Sequence, residues 1–185
     1  MADTKKMIHD AYGIQKMQRG GGGGDPVSGS LYGMAKAVFA GKIMAAVENQ
    51  PRPLGDLLIL CYAPEWEDKN FKSAHRALFG EFIKRHGDEV KQERTFLKAK
   101  RLAEVALLSY QKESRSSAFP VDLVCQLAGI DRSNWYKQGR QWPKWWESMG
   151  NILHRWHREG LKQPDEVCEE IVALRSIERQ QMTAV

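Results

Sequence analysis

Apolar side chains recur at intervals of three and four residues along most of the chain, which is the spacing of one helix face. The cleanest stripe lies within residues 71–83, where lysines and arginines fall largely off the apolar face. Other helices are predicted over 8–18, 32–47, 54–62 and 92–112, on both sides of a turn near 129, from residue 142, and over 164–180. Almost no segment alternates with the period of a strand. The sequence therefore predicts an all-α fold, a helical bundle.

Five consecutive glycines at positions 20–24 interrupt this pattern near the start of the chain. Each glycine adds backbone freedom and contributes no side chain to a core, so we expect a flexible Gly-rich N-terminal tether. The helical stretch before it is either a frayed terminus or a helix that docks on a partner. We divide the chain into a flexible N-terminal segment (1–30), a helical region (31–113) and a C-terminal region (114–185).

The most informative stretch runs from residue 119 to residue 158. Val121, Val124 and Ala128 give a short helix an apolar face, and Gly129 permits the backbone turn that ends it. Asp131 can cap the next helix, in which Trp135 is expected to face inward. This layout is typical of a helix-turn-helix DNA-binding unit, although an ordinary small helical domain contains the same elements.

Polar and basic residues lie on the outer side of the second helix and just beyond it. The candidates for DNA contacts are Ser133, Asn134 and Lys137, followed by Arg140 and Lys144. Residues 131–160 hold six Lys or Arg against three acidic residues, so the basic excess coincides with the motif. The net charge of +5 favours a polyanionic partner, or serves only solubility. The KAKR segment at 98–101 is either a solvated helix face or a phosphate contact.

The sequence contains no phosphate-binding loop, dinucleotide glycine pattern, nucleophile elbow or zincin motif, so we predict a protein that is not an enzyme and uses no cofactor or metal. His154 and His157 have a spacing that suits a shared metal, but no third ligand is near, which favours a polar helix face. Three widely separated cysteines indicate buried thiols in a reducing compartment. Without a membrane-length apolar run or a signal-peptide core, we expect a cytoplasmic protein.

Several short segments occur in an order that a known family shares. They are Asp10-Ala11-Tyr12-Gly13-Ile14-Gln15, Leu31-Tyr32-Gly33-Met34-Ala35, Phe39-Ala40-Gly41-Lys42, the helix from Lys98 to Tyr110, Arg115-Ser116, and a helix-turn-helix with a tryptophan in its second helix. Together they resemble the late-gene antiterminators of lambdoid phages, the Q proteins of the phage lambda type. The matching segments span most of the chain.

This resemblance implies a phage protein that acts in the host bacterial cytoplasm and binds double-stranded DNA near a late promoter. It would load onto RNA polymerase paused with sigma factor and let the enzyme read through pauses and terminators, with NusA assisting. Polymerase contacts are then expected before Glu113. The resemblance assigns base and phosphate contacts to Arg132, Ser133, Asn134, Tyr136 and Lys137, with Arg140 and Lys144 as phosphate partners.

The sequence departs from this family at one point. Lambda-type proteins carry a zinc finger of two Cys-x-x-Cys pairs before the helix-turn-helix, whereas here Ser116-Ser117-Ala118 leads directly to Phe119-Pro120. The zinc site therefore does not carry over. A conventional helix-turn-helix regulator whose N-terminal helices only dimerise is the alternative, and a phage inhibitor of a host protein is a third possibility.

Overall fold

The computed structural model describes residues 3–19, 31–137 and 139–183, and every regular element in these ranges is helical. This confirms the predicted all-α class. The predicted helices over 32–47, 54–62 and 92–112 lie within one residue of the observed bounds. The helices are α1 (Thr4–Arg19), α2 (Leu31–Glu48), α3 (Leu54–Tyr62), α4 (Asp68–His86), α5 (Glu93–Glu113), α6 (Val121–Ala128), α7 (Arg132–Tyr136) and α8 (Trp142–Thr183), with a short 3-10 turn at Gly87–Glu89.

One apolar core extends through these helices, from Ile8 in α1 to Ile171 in α8. At its centre Phe82 and Trp145 are fully buried and pack edge to face, with ring centroids 5.5 Å apart. Helix α1 joins this core through Ile8 and Ala11, which are 0% and 2% exposed. The stretch that we left as a frayed terminus or a docking helix is therefore packed within the chain itself. The glycine run at 20–24 and the predicted tether lie outside the described residues.

Helix α8 is continuous, whereas the sequence pattern predicts a separate helix that starts at Pro164. A proline inside a helix removes a backbone hydrogen bond and crowds the carbonyl four residues earlier, at a cost of about 3 kcal/mol. That carbonyl belongs to Gly160, which is buried so closely that a Cβ would lie 3.4 Å from side chains of α3. The apolar face continues past the proline to the buried Ile171. Burial on both sides of Pro164 offsets the local cost, and the prediction of two helices is wrong.

A residue distant in sequence caps the C-terminal end of α3. The Arg115 guanidinium donates hydrogen bonds to the carbonyl oxygens of Leu60 at 3.3 Å, Cys61 at 3.0 Å and Ala63 at 2.7 Å. Carbonyls at a helix end have no partner within the helix, and a cation is favoured at the negative end of the helix dipole. Arg115 therefore fixes the end of α3 against the segment that follows α5.

A hydrogen-bonded network joins α3, α5 and α8. His157 Nε2 lies 2.5 Å from Tyr62 Oη, and His157 Nδ1 lies 2.7 Å from Tyr110 Oη, which is also 3.3 Å from His154 Nδ1. Burial, together with the nearby charge of Lys5, lowers the pKa of His157 to about 4. We predicted a polar helix face for both histidines. His154 is exposed, but His157 is partly buried between two tyrosines, so the prediction is wrong for His157.

Candidate nucleic-acid interface

The turn between α6 and α7 has the local geometry that the sequence predicted. Gly129 ends α6 in the left-handed conformation at φ 65°, and the Asp131 carboxylate accepts the Ser133 backbone N–H at 2.8 Å, which caps α7. Trp135 faces inward and is 5% exposed. Helix α7 has only five residues and so rises about 7.5 Å, less than the width of a major groove, about 12 Å. Few side chains of α7 could read bases, and a DNA-binding role for this unit stays a prediction.

Three of the predicted contact residues have partners within the chain: Arg132, Ser133 and Lys144. Arg132 Nε lies 2.9 Å from the Asp122 carboxylate, in an ion pair whose side chains are both more than half exposed. The Ser133 hydroxyl donates to Asp131 Oδ1 at 2.5 Å. An exposed ion pair is weak and can be exchanged for a phosphate, but the serine hydroxyl is part of the helix cap. Arg132 therefore remains available to DNA more readily than Ser133.

Asn134 lines a cavity of about 230 Å³ between α7 and the first turns of α5. We call this the basic cavity, because three cationic side chains line it. Its lining residues are Arg94, Thr95, Lys98, Ile130, Asp131, Asn134, Arg140 and Trp142. One amide and three cations share this concave surface. They can therefore bind a DNA phosphate and the polar edge of a neighbouring base at the same time.

Arg140 also lines a second cavity of about 360 Å³, on the side toward the turn between α4 and α5. Lys144 lies near that turn, where its ammonium is 3.5 Å from a carboxylate oxygen of Glu89. Tyr136 is 63% exposed and Lys137 is exposed at the end of α7. The structure thus brings Asn134 and Arg140 together, while Lys144 lies beside the second cavity.

Two carboxylates moderate the positive charge of this surface. Hydrogen bonds from the Ser133 hydroxyl and backbone N–H hold the pKa of Asp131 below its usual value, with a smaller contribution from the charge of Lys98. The Trp145 indole N–H, which donates at 2.9 Å, chiefly holds the pKa of Glu89 below its usual value. Both groups are therefore ionised at neutral pH. The basic cavity has three cations facing one carboxylate.

The sequence does not single out Arg94, and it leaves Lys98 open between a solvated helix face and a phosphate contact. Both residues lie on α5, at a spacing of four that places them on one helix face. That spacing is visible in the sequence, but nothing in the sequence shows that this face lies beside α7. The packing of α6 against α5 creates the juxtaposition.

The rest of the described chain offers little that suggests a metal centre. Within residues 3–19, 31–137 and 139–183, no three His, Cys, Asp or Glu side chains are arranged to hold a metal ion. Cys61, Cys125 and Cys168 are unpaired and buried, as predicted. None of the described helices combines the length and the apolar character needed to cross a bilayer.

Comparisons of the chain with protein-family models, curated proteins and solved structures find no match. The resemblance to the Q antiterminators therefore depends on the short ordered segments in the sequence alone.

Proposed function

We propose that this protein binds double-stranded DNA through α7 and the basic cavity, and that it acts as a phage late-gene antitermination factor. DNA binding is argued from geometry, whereas antitermination is argued from the resemblance to Q proteins. The proposed setting is the cytoplasm of a bacterial host. The proposed partners are a late-promoter DNA element and RNA polymerase with sigma factor, with NusA assisting.

The observation that carries DNA binding is the convergence of Asn134, Arg94, Lys98 and Arg140 around one cavity. Guanidinium and ammonium groups bind phosphates, and an asparagine amide can pair with the edge of an adenine. Tyr136 and Lys137 extend this surface with an exposed phenol and a further cation. A short α7 fits a mode in which phosphate contacts hold the protein in position and only one or two side chains read bases.

Antitermination requires a second surface that contacts polymerase while DNA is bound or after it is released. In our proposal the helices before Glu113 supply that surface, and no chemical step is needed because contacts near the RNA exit channel can hinder terminator hairpins. The zinc finger of lambda-type proteins is missing from the sequence. The Arg94 and Lys98 side chains of α5 would then supply positioning contacts that the finger gives its relatives.

Two measurements on the full chain test this proposal. The first is a footprint on candidate late-promoter DNA, and the second is in vitro transcription from that promoter through a terminator. We expect protection and increased readthrough with the native chain, and loss of both with an Arg94→Ala, Arg140→Ala variant. The control is Arg76→Ala, Lys84→Ala on α4, which also removes two exposed cations, neither of which lines a cavity of this interface.

The outcomes separate the alternatives. Altered initiation with unchanged readthrough would support a conventional helix-turn-helix regulator and reject antitermination. Absence of any footprint, with tight DNA-independent binding to a host protein, would reject DNA binding and support an inhibitor. Equal loss of the footprint in the Arg76→Ala, Lys84→Ala control would show that general charge, and not the basic cavity, determines binding.

A further inference from the structure

A third pocket, of about 410 Å³, lies where α1, the end of α2, α3 and the start of α4 meet. We call it the acidic pocket, because four carboxylates and only two cations line it in a chain whose net charge is +5. Its lining residues are Tyr12, Glu48, Gln50, Arg52, Gly55, Asp56, Ile59, Glu65, Trp66, Glu67, Lys69 and Asn70.

Asp56 is the deepest charged group of the acidic pocket and is only 4% exposed. Its Oδ1 accepts a hydrogen bond from the buried Asn70 amide at 2.8 Å. Its Oδ2 has no hydrogen-bond donor, since the nearest cation, Arg52 Nε, is 3.7 Å away and beyond hydrogen-bond distance. A buried carboxylate oxygen without a donor is unfavourable. Oδ2 is itself closed off from solvent, so a ligand donor reaches it by displacing the neighbouring Arg52 side chain.

Arg52 forms an ion pair with this oxygen but no hydrogen bond, and its own side chain is 66% exposed. A long exposed side chain is weakly held in one position, because ordering it costs rotamer entropy and an exposed ion pair contributes little free energy. A ligand cation that reached Asp56 Oδ2 with correct geometry would therefore replace Arg52 at small cost.

The rim of the acidic pocket offers further contacts for a planar cation. The Trp66 ring is 38% exposed and stacks on Phe71 with ring centroids 5.9 Å apart, which fixes its orientation. Glu48 accepts a hydrogen bond from the Tyr12 hydroxyl at 3.2 Å and adds negative charge. An aromatic ring beside carboxylates matches a guanidinium, which stacks on rings and donates in pairs to carboxylates, better than it matches a spherical ammonium.

We propose that the acidic pocket binds an arginine side chain of a partner protein, with Asp56 as its principal acceptor and Trp66 as its stacking surface. The described residues contain no cluster of three metal-ligating side chains, which argues against a cation bound as a bare metal. This proposal does not depend on DNA binding.

The acidic pocket and the basic cavity lie at different ends of α4. The acidic pocket contains Lys69 and Asn70 at the start of α4, and the basic cavity contains Arg94 and Thr95 just after the turn that follows its end. Helices α4 and α5 run antiparallel, since His75 Nε2 is 3.1 Å from the Lys100 carbonyl oxygen and Phe79, further along α4, packs on Phe96, earlier in α5. Both sites could therefore be occupied at once, one by nucleic acid and one by protein.

The test uses the full chain and the peptide probe acetyl-Gly-Arg-Gly-amide, followed by amide and indole chemical shifts in NMR titrations up to about 10 mM, a range suited to a single side chain. The comparison probe replaces arginine with citrulline, which keeps the shape but is neutral. The variants are Asp56→Asn, Trp66→Ala and Arg52→Ala. The matched control is Glu104→Gln, which removes an exposed carboxylate of α5 outside the acidic pocket.

We expect saturable shifts at Trp66 and Asn70 with the arginine probe and none with citrulline. Asp56→Asn should weaken binding at least about ten-fold, Trp66→Ala should weaken it less, and Arg52→Ala should tighten it. If Asp56→Asn does not fold, Trp66→Ala and Arg52→Ala carry the test. The proposal is overturned if the native chain shows no saturable shifts, if citrulline or Mg²⁺ alone gives the same shifts, or if Glu104→Gln weakens binding as much as the pocket variants.

Discussion

The strongest test of the proposed DNA interface is the salt dependence of binding. A protein that neutralises a number Z of phosphates has a plot of log Kobs against log salt concentration with a slope of about −0.9Z. The basic cavity presents Arg94, Lys98 and Arg140, which predicts up to three phosphate contacts from this cavity. Replacing all three with glutamine should therefore reduce the magnitude of the slope by about 2.7.

The effect is large enough to measure over an ordinary salt range. Between 50 and 200 mM salt, a slope change of about 2.7 alters the affinity ratio between native and variant protein by about 40-fold. Asp131 faces the same cavity and offsets part of this charge, so a slope change of about 1.8, equivalent to two contacts, also satisfies the prediction. Fluorescence anisotropy with labelled duplex DNA at several salt concentrations gives both slopes directly.

The control variant must lose the same charge elsewhere. Arg76, Lys84 and Lys162 are exposed and line neither cavity, so their replacement with glutamine removes three cations without touching the interface. We expect its slope to stay within about 0.5 of the native value. Equal slopes for the two triple variants would refute the assignment, because they would show that net charge alone accounts for binding.

Four single substitutions test three further predictions. Asn134→Ala should reduce the discrimination between cognate and random DNA by about 1–3 kcal/mol, whereas Lys137→Ala should weaken binding to both DNAs equally and flatten the salt slope. Competition binding with cognate and random DNA distinguishes these two effects. An equal loss of affinity for both DNAs in Asn134→Ala would reject a base-reading role for Asn134. Arg115→Ala should lower the free energy of unfolding by about 2 kcal/mol, because three carbonyl oxygens lose a charged donor; urea unfolding measures this, and a loss below about 0.5 kcal/mol would contradict the capping role. The lowered pKa of His157, about 4 against an ordinary 6.5, means that the unfolded chain binds the proton first as pH falls. The contribution of His157 to the free energy of unfolding is complete above pH 6.5 and is lost between pH 6.5 and about 4. The loss is about 1–2 kcal/mol after allowance for the partial exposure of the ring. The His157→Gln variant should lack this part of the pH dependence of unfolding, and a pH profile equal to that of the native chain would contradict the prediction.

Much of the fold could be predicted because helices such as α4 and α5 each carry an apolar stripe at helical spacing. The α4 and α5 helices follow directly from residues 71–83 and 92–112, and the buried Trp135 follows from the spacing within α7. Proline at position 164 misled the analysis, because the local penalty is visible in the sequence while the burial that offsets it is not. Sequence periodicity and residue propensities therefore predict where a helix lies better than they predict where it ends, because tertiary packing can override a local helix-breaking residue.

The candidate site was harder to predict than the helices. Asn134 and Arg140 could be chosen from the sequence, but their neighbours Arg94 and Lys98 come from a helix about forty residues earlier. The partners of Arg132 and Lys144 are acidic residues from other elements, Asp122 and Glu89. Such pairings depend on how helices pack, which periodicity within one helix does not encode.

Helix α8 packs against α1 through α5, contacts α7 where Trp146 meets Trp135 edge to face, and supplies apolar side chains along its length from Trp145 to Ile171. Heating should therefore melt the molecule in a single cooperative step, seen as one heat-capacity peak in calorimetry. Helix α8 packs into the core both near the basic cavity and near α1. A substitution that weakens its packing at either place should therefore lower the melting temperature of the entire protein. Cleavage after Glu113 would give two fragments that each expose apolar surface now buried against α8 or by it, so both fragments should tend to aggregate.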